Sequence, residues 1–254
     1  MRPAGPSGGG AGFRTQAPPR VDAPAWLIDL GACASTNAWA LERLSTLAPG
    51  TAVQAQSQSQ GRGRDGRRWC MGEGALAASV VVAVAARAAP AMALVAGLAT
   101  MHALDDLCPQ PQHLRLKWPN DVRTPAGKLA GVLCEGSSAV PDRLVVGIGV
   151  NLAQAPVGVA DAAAVAGPAP SARALLERLR SYVLEAAALV SARGLGPLMP
   201  DMRRRDALLG AALRVERRDG ILIGHGAGID DDGRLLVMTR GGVVAVDAGH
   251  VVLE

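Results

Sequence analysis

Residues 61–69, with the sequence G-R-G-R-D-G-R-R-W, combine the residue types that a protein needs to hold an anion. Four arginines stand among three glycines in this short polar stretch. Glycine lets the backbone bend sharply and come close to a ligand, and the arginine guanidinium presents a planar fork of donors that fits carboxylate and phosphate oxygens. The stretch therefore predicts a loop that wraps a small anionic or phosphorylated ligand.

Two other interpretations of this loop have to be weighed. Its glycines fit G-x-G-x-x-G, the dinucleotide fingerprint, which is meaningful only between a strand and a helix. The polar residues 56–60 before it do not form an apolar strand, and Gly72 and Gly74 follow it in place of a helix. The second alternative is a solvated basic loop that contacts nucleic acid without sequence preference.

Composition favours a local anion site over a nucleic-acid surface. The chain has 254 residues and a net charge of +4, from 26 basic and 22 acidic residues. This excess is small, and part of it lies in the arginine-glycine loop. Hydrophobic residues make up 49% of the chain and aromatic residues only 2%, so the core must consist mainly of alanine, valine and leucine.

Targeting, membrane and metal signals are weak in this sequence. Cysteine and histidine are too scattered for a zinc site, which predicts a reduced cytosolic protein without a structural metal. Residues 1–22 lack the apolar core of a secretory signal and predict a disordered tail. Residues 92–107 are apolar but short for a membrane span and contain Asp105 and Asp106, so they predict a buried helix.

Hydrophobic periodicity predicts both strands and helices. Strands are expected at residues 25–30, 51–56, 76–85, 114–118, 129–135 and 144–150, and helices at 38–44, 90–107 and 171–193. Gly147, Gly149 and Asn151 fall on one face of the last of these strands, which leaves room for a ligand there. From residue 210 onward, five short apolar runs alternate with Asp-Gly or Gly-Gly pairs, which predicts the hairpins of a small barrel and a domain boundary near Asp206.

Three more stretches could contribute to a site. K-W-P-N-D at 117–121 ends a strand with an amide and a carboxylate, and strand ends commonly line ligand sites. K-L-A-G at 128–131 adds a lysine just across a turn, and S-T-N at 35–37 precedes a helix. Each stretch also has a purely structural interpretation, as an Asx turn, an exposed turn lysine and a helix N-cap respectively.

Together, and in this order, these motifs resemble those of the biotin protein ligases. The matching stretches are S-T-N (35–37), Q-x-x-G-R-G-R-x-G-R-x-W (58–69), K-W-P-N-D (117–121), K-L-A-G (128–131) and G-I-G-V-N (147–151). The resemblance implies an α+β fold, with a mixed β-sheet packed with helices over residues 23–205. A small SH3-like β-barrel would follow over residues 206–254.

The resemblance also implies an ATP-dependent reaction. The carboxylate of biotin would attack the α-phosphate of ATP, with Mg²⁺ present, to give biotinyl-5′-AMP and pyrophosphate. A lysine of the biotin carboxyl carrier protein of acetyl-CoA carboxylase would then attack this mixed anhydride. The arginine-glycine loop would be mobile without ligand and would close over the adenylate to exclude water.

Individual side chains receive roles from the same resemblance. Arg64, Lys128 and Asp121 would be catalytic, and Asp121 would hold Mg²⁺ directly or through water, or help to deprotonate the acceptor lysine. Biotin would be bound by Ser35, Thr36, Asn37, Gln58, Arg62, Gly63, Arg64, Lys128, Gly131 and Gly147. ATP or the adenylate would be bound by Arg64, Arg67, Trp69, Asn120, Lys128 and Asn151.

The chain departs from the family pattern in three places. Ser59-Gln60 replaces the small residues that often precede the first glycine. Asp65 puts an acid among the arginines, and residues 70–73 replace the usual continuation, so both bear on loop closure. Only about thirty residues, rich in Gly and Pro, precede the S-T-N stretch, so no DNA-binding domain is expected. We expect a cytoplasmic monomer or weak homodimer without membrane contact. A lipoate or octanoate ligase is the nearest alternative, and a binding module without catalysis is the alternative of another class.

Overall fold

The computed structural model describes residues 24–72, 74–108, 113–155, 159–163 and 169–253. The tail expected over residues 1–22 lies outside the described residues. Nine strands lie within the described part of residues 27–150, interspersed with helices, and seven of them form one sheet. They are β1 Leu27–Asp29, β2 Ala32–Cys33, β3 Ala52–Ala55, β4 Ser57–Gln58, β5 Leu76–Ala83, β6 Arg115–Lys117, β7 Asp121–Thr124, β8 Gly127–Ser137 and β9 Val140–Val150.

The sheet is mixed, as the resemblance predicted. Its strand order is β1-β3-β5-β9-β8-β7-β6, and β2 pairs with β4 as a separate two-stranded ribbon. Only the β1–β3 pair in the large sheet is parallel, and its other pairs are antiparallel. The valine-rich strand β5 lies inside the sheet and is buried along nearly its whole length, which agrees with its lack of polar alternation.

Four α-helices that lie wholly within the described residues accompany this sheet. They are α1 Thr36–Glu42, α2 Met92–Leu107, α3 Ala172–Arg193 and α4 Met199–Arg205. Ser35 is the N-cap of α1, and its Oγ accepts a hydrogen bond of 3.4 Å from the backbone N–H of Ala38. The helix therefore begins two residues before the predicted start at 38. Ser171 caps α3 in the same way, with a bond of 3.1 Å from Ala174 N.

The two faces of the sheet are covered differently. Helices α2 and α3 pack on one face, against side chains that include Val80 and Ile148. The short α1 covers part of the other face, where Leu44 packs with Val81 and Val145. At the N-terminal start of α1, this second face is left open for a cavity.

The apolar segment that precedes and includes α2 is a core element. Among the described residues, Ala86–Leu107 is long and apolar enough to cross a membrane, but 72% of its most apolar window is buried within the fold. Its first turn is a 3₁₀ helix, Ala86–Ala91, with Pro90 inside it. The prediction of a buried helix therefore agrees with the structure.

Five strands near the C-terminus form a second, antiparallel sheet. They are β10 Ala212–Arg217, β11 Gly220–Ile229, β12 Leu235–Thr239, β13 Gly242–Val246 and β14 His250–Leu253, in the order β13-β12-β11-β10-β14. The turn glycines Gly220, Gly233 and Gly242 all have positive φ, which explains why Asp-Gly and Gly-Gly pairs mark these hairpins.

The two sheets share one continuous hydrophobic core. Leu213, Val237 and Val251 of the second sheet belong to the same buried cluster as the central strands of the first. Ala207 N donates to Leu116 O over 2.9 Å, at the point where the chain passes from α4 towards β10. Lys117 on β6 donates a hydrogen bond to Val251 O on β14, which lies at the edge of the cavity.

Candidate active site

The cavity lies on the α1 face of the large sheet, and its volume is about 190 Å³. Its floor is a row of small residues in register on three neighbouring strands: Ala77 on β5, Gly149 on β9 and Gly131 on β8. A β-carbon on Gly149 would collide with the indole ring of Trp69, which lies over the floor. Gly149, on the glycine face predicted for β9, therefore lets the indole ring lie directly on the sheet.

The same row continues into charged residues. Asp121 on β7 stands opposite Gly131, and Lys117 on β6 stands opposite Asp121. Lys128 reaches back along β8 so that its Nζ lies 2.5 Å from Asp121 Oδ1. The uncharged floor is therefore followed, on the neighbouring strands, by a charged cluster. The cluster consists of the ammonium groups of Lys117 and Lys128 and the carboxylate of Asp121.

Lys117 is the most buried of these charges, with 8% of the residue exposed. Its Nζ donates a hydrogen bond of 2.7 Å to the carbonyl oxygen of Val251 on β14. Burial lowers the pKa of Lys117, and the nearby Asp121 opposes that shift. The second sheet therefore contributes directly to this end of the cavity through a backbone carbonyl.

The opposite end of the cavity is lined by hydroxyl and amide groups around Asn37. Thr36 N donates to Gln58 Oε1 over 2.8 Å, so Gln58 is fixed at the start of α1. Asn37 Nδ2 donates 3.0 Å to Leu133 O, while Asn37 Oδ1 lies 2.6 Å from the hydroxyl of Ser79. Since these groups are amides and hydroxyls, this end can exchange hydrogen bonds with a neutral polar ligand group.

Ser79 holds this polar cluster together and was missed by the sequence analysis. It is fully buried on β5, and its Oγ lies 2.8 Å from Thr36 Oγ1 and 2.6 Å from Asn37 Oδ1. A hydroxyl has one proton, so Ser79 can donate to only one of them while accepting from Thr36. The sequence of this Ala/Val-rich strand gives no sign that its serine belongs to a site. Only the folded contacts of Ser79 with Thr36 and Asn37 reveal its role.

The arginine-glycine loop is a tight hairpin above the cavity. Trp69 N donates to Gly61 O over 2.9 Å, and Gly63 N donates to Arg67 O over 2.8 Å. Its tip contains Asp65 at φ 55° and Gly66 at φ 72°. Aspartate tolerates this left-handed conformation better than most residues do, so Asp65 is compatible with a tight turn.

Three of the four arginines in the hairpin have a partner. Arg62 forms an ion pair with Glu135 on β8, and Arg68 Nη2 donates 2.7 Å to Ser59 O. Arg67 Nη1 lies 3.2 Å from Nδ1 of His250, the first residue of β14. Arg64 lines the cavity, and its side chain forms no hydrogen bond or ion pair with any of the described residues, so its guanidinium is available to an anion.

Trp69 and His250 close two sides of the cavity. The indole of Trp69 lies 5.6 Å from Lys128 Nζ, measured to the ring centroid, and its Nε1 is buried without a hydrogen-bond partner among the described residues. Burial lowers the pKa of His250, and the positive charges of Arg67 and Lys117 add to that shift. An imidazole kept neutral in this way can accept a hydrogen bond from Arg67.

All but one of the predicted site residues line this single cavity. The lining includes Ser35, Thr36, Asn37, Gln58, Arg62, Gly63, Arg64, Arg67, Trp69, Asn120, Asp121, Lys128, Gly131 and Gly147. Asn151 is the exception: it is 2% exposed, outside the lining, and its Oδ1 has no hydrogen-bond partner within the described chain. Its adenylate role remains a prediction.

Sequence reasoning missed the contribution of the second sheet. Gly249, His250 and Val251 line the cavity together with Lys117, which had been quoted in a motif but given no role. Residues so distant in sequence are brought together only by packing of the two sheets, and no local pattern reports that packing. Among the described residues, no group of three or more His, Cys, Asp or Glu side chains could hold a metal ion.

Known proteins resemble the chain in sequence and in structure. The profile of the biotin/lipoate A/B protein ligase family matches residues 30–151. The biotin–[acetyl-CoA-carboxylase] ligase of Paracoccus denitrificans is 35% identical over 232 residues, which is 85% of this chain and 96% of the relative. The enzyme of the same name from Mycobacterium tuberculosis is 37% identical over 238 residues, 86% of this chain and 85% of the relative.

A solved structure extends the similarity to the whole fold. The biotin protein ligase from Aquifex aeolicus in complex with biotin and ATP superposes with a TM-score of 0.79 at 27% sequence identity. The match covers 91% of this chain and 99% of that protein. It therefore includes both sheets and the cavity between the hairpin and the floor.

Proposed function

Because the chain belongs to the biotin/lipoate A/B protein ligase family, we infer that it is an ATP-dependent ligase that activates biotin and transfers it to a protein lysine. The observation that carries this function is the two-ended cavity. One end offers amides and hydroxyls around Asn37, and the other offers the uncommitted Arg64 and the ammonium of Lys128. Biotin has a neutral ureido ring at one end and a carboxylate at the other, joined by an apolar tail. Its ureido ring therefore matches the amide and hydroxyl end of the cavity, and its carboxylate matches the cationic end.

The first step joins two anions and needs positive charge. A carboxylate oxygen of biotin attacks the α-phosphorus of ATP, the bond from that phosphorus to the bridging oxygen breaks, and pyrophosphate leaves. Arg64 and Lys128 offset the repulsion between the carboxylate and the phosphates and stabilise the charge of the transition state. Gly131 and Gly147 keep the floor low, so that the side chains of Lys128 and Asn37 lie directly against the sheet beside the bound biotin.

Mg²⁺ fits the residues at the charged end as a partner of the nucleotide. Asp121 supplies a carboxylate beside the amide of Asn120, and Mg²⁺ in such sites is bound by one or two carboxylates together with substrate phosphates and water. The ion, when bound, neutralises phosphate charge. Asp121 is also paired with Lys128. The aspartate would hold the ion directly or through water, or would accept a proton from the acceptor lysine.

The second step consumes the mixed anhydride. The unprotonated amine of the acceptor lysine attacks the acyl carbon, the bond to the phosphate oxygen breaks, and AMP leaves with that electron pair. The acceptor is the biotin carboxyl carrier protein of acetyl-CoA carboxylase, a proposal supported by the names of both relatives. We place the reaction in the cytoplasm, where carrier and nucleotide are both present.

ATP–pyrophosphate exchange tests the function most directly. Purified protein is incubated with ATP, Mg²⁺ and labelled pyrophosphate, with biotin or lipoate in separate reactions. We expect exchange with biotin alone, because the amides and hydroxyls around Asn37 can exchange hydrogen bonds with a ureido group, whereas the dithiolane of lipoate offers them no comparable polar partner. Exchange with lipoate alone would assign the chain to lipoate activation, and no exchange with either would contradict ligase activity.

Transfer requires a second measurement. A carrier domain with its acceptor lysine should gain one biotin by intact mass, and the same domain with that lysine changed to arginine should gain none. Labelling of the arginine form to the same extent would contradict a specific protein acceptor.

A further inference from the structure

Glu135 connects two parts of the site that the sequence treats as separate. It stands on β8, outside the predicted site residues, with 18% of its side chain exposed. Its Oε1 forms an ion pair with Arg62 Nη2 of the hairpin, and its Oε2 accepts a hydrogen bond of 2.9 Å from Asn37 Nδ2. One carboxylate therefore joins the hairpin above the cavity to the polar cluster at its uncharged end.

The ion pair with Glu135 distinguishes Arg62 from Arg64 in the hairpin. The positive charge of Arg62 is matched by Glu135, whereas Arg64 has no partner among the described residues. An arginine with a matched charge adds little to the attraction for a ligand phosphate or carboxylate. Arg62 is therefore better placed to hold the hairpin than to bind an anion.

The hairpin has few other side-chain anchors in the described chain. Arg67 contacts His250 on the second sheet, and Arg68 contacts Ser59 O at the base of the hairpin. Neither anchor touches the polar end of the cavity. Trp69 also anchors the hairpin, since its indole lies over Gly149 and 5.6 Å from Lys128 Nζ. The Arg62–Glu135 contact is the ion pair that ties the hairpin to β8 at the polar end of the cavity.

We propose that Glu135 is a positioning residue that acts through Arg62 to keep the hairpin closed over the acyl-adenylate until the acceptor lysine arrives. The proposal rests on the proposed ligase function. Asn37 fixes the other oxygen of Glu135, so the carboxylate points at the hairpin when the polar cluster is intact. Retention of the adenylate is thereby linked to the same residues that would hold the ureido group.

Failure of this contact has a defined chemical consequence. An adenylate that escapes, or that water reaches, is hydrolysed: the water oxygen attacks the acyl carbon, the bond to the phosphate oxygen breaks, and biotin and AMP form. ATP is then consumed to AMP and pyrophosphate without an acceptor. Acceptor-free AMP formation, divided by the rate of biotin-dependent pyrophosphate exchange, therefore measures how well the site retains its intermediate.

The test uses Glu135→Gln and Arg62→Gln in the full-length chain. Glutamine keeps an oxygen for Asn37 Nδ2 but removes the charge that attracts Arg62. We expect the ratio to rise about twofold to fivefold in each variant, the factor that a partly exposed ion pair supports. The double variant should show no greater rise than the larger single variant, because both changes remove the same contact.

Glu177→Gln is the matched control, since it removes an exposed ion pair with Arg173 on α3, away from the cavity. A ratio equal to that of the unaltered protein in both site variants, or an equal rise in the control, would overturn the proposal. If Glu135→Gln does not fold, Arg62→Gln alone decides, because Arg62 is at the surface. Absence of biotin-dependent exchange in the unaltered protein would instead contradict the ligase function itself.

Discussion

The side chain of Asn37 occupies the space that a β-carbon on Gly147 would need. All three nearest atoms to that position belong to the amide group of Asn37. The start of α1 is thereby pressed against β9, and the glycine allows this contact without a change in the strand. The shape of the uncharged end of the cavity therefore depends on a residue that has no side chain of its own.

Gly147→Ala should weaken biotin binding by about tenfold, because inserting a methyl group into a packed site costs about 1–3 kcal/mol. The amide of Asn37 would have to move and would lose its contacts with Ser79 and Leu133. Isothermal titration with biotin measures the change. Gly196→Ala is the control, since a β-carbon there meets nothing within 4 Å and its φ is not positive. Equal affinities in the two variants would contradict this account.

Lys128→Ala should reduce biotin-dependent pyrophosphate exchange by about a hundredfold to a thousandfold, the usual effect of removing one group that stabilises transition-state charge. Lys128 Nζ lies beside Asp121 and above the floor at Gly131, so its charge sits at the junction of the proposed carboxylate and phosphate positions. Arg178→Ala removes an exposed cation outside the cavity and should leave exchange unchanged. Near-normal exchange by the lysine variant would contradict its assignment.

The sequence predicted the residues at the charged end of the cavity better than the residues that position them or the hairpin. Lys128 and Asp121 stand at the ends of short motifs on neighbouring strands, and the long lysine side chain reaches from its position opposite Arg123 to Asp121. Ser79, Glu135 and His250 give no such signal, since each acts through a contact made by packing. The hairpin of residues 61–69 was predicted as an anion loop, yet only its folded form shows which arginine is left without a partner.

His250, at the start of β14 and at the edge of the cavity, predicts that activity falls at acid pH. Neutral His250, protonated at Nε2, can accept from Arg67 at Nδ1. Its pKa is lowered from 6.5, first by burial and then by Arg67 and Lys117, while Glu216 and Asp65 act in the opposite direction. Because the folded pKa is depressed, the contact is complete above pH 6.5 and is lost as the pH falls through the folded value.

His250→Asn should remove this acid limb, because the amide oxygen can accept from Arg67 at any pH and does not titrate. The measurement is kcat/KM for ATP from pH about 5 to about 8, the range in which histidine charge changes. His225→Asn, an exposed histidine on β11, is the control and should keep the limb. An identical acid limb in the His250 variant would assign it to another group.

The chain contains only two lysines, Lys117 and Lys128, and both line the cavity. An acyl-adenylate reacts with unprotonated amines, so any exposed lysine near the hairpin would compete with the acceptor. Lys117 Nζ is buried and donates to Val251 O, and Lys128 Nζ is paired with Asp121. Elsewhere the positive charge is carried by arginine, whose guanidinium does not lose its proton in proteins.

The loaded enzyme should therefore modify its own side chains very little. After incubation with ATP and biotin without acceptor, peptide mass spectrometry should find no biotin on Lys117 or Lys128. Arg68→Lys places an exposed amine on the hairpin beside the cavity and should become biotinylated, because a local amine meets the intermediate at high effective concentration. Arg240→Lys places the same amine on a distant turn and should stay unmodified. Biotin on the two natural lysines at the level of the Arg68 variant would show that burial and pairing do not protect them.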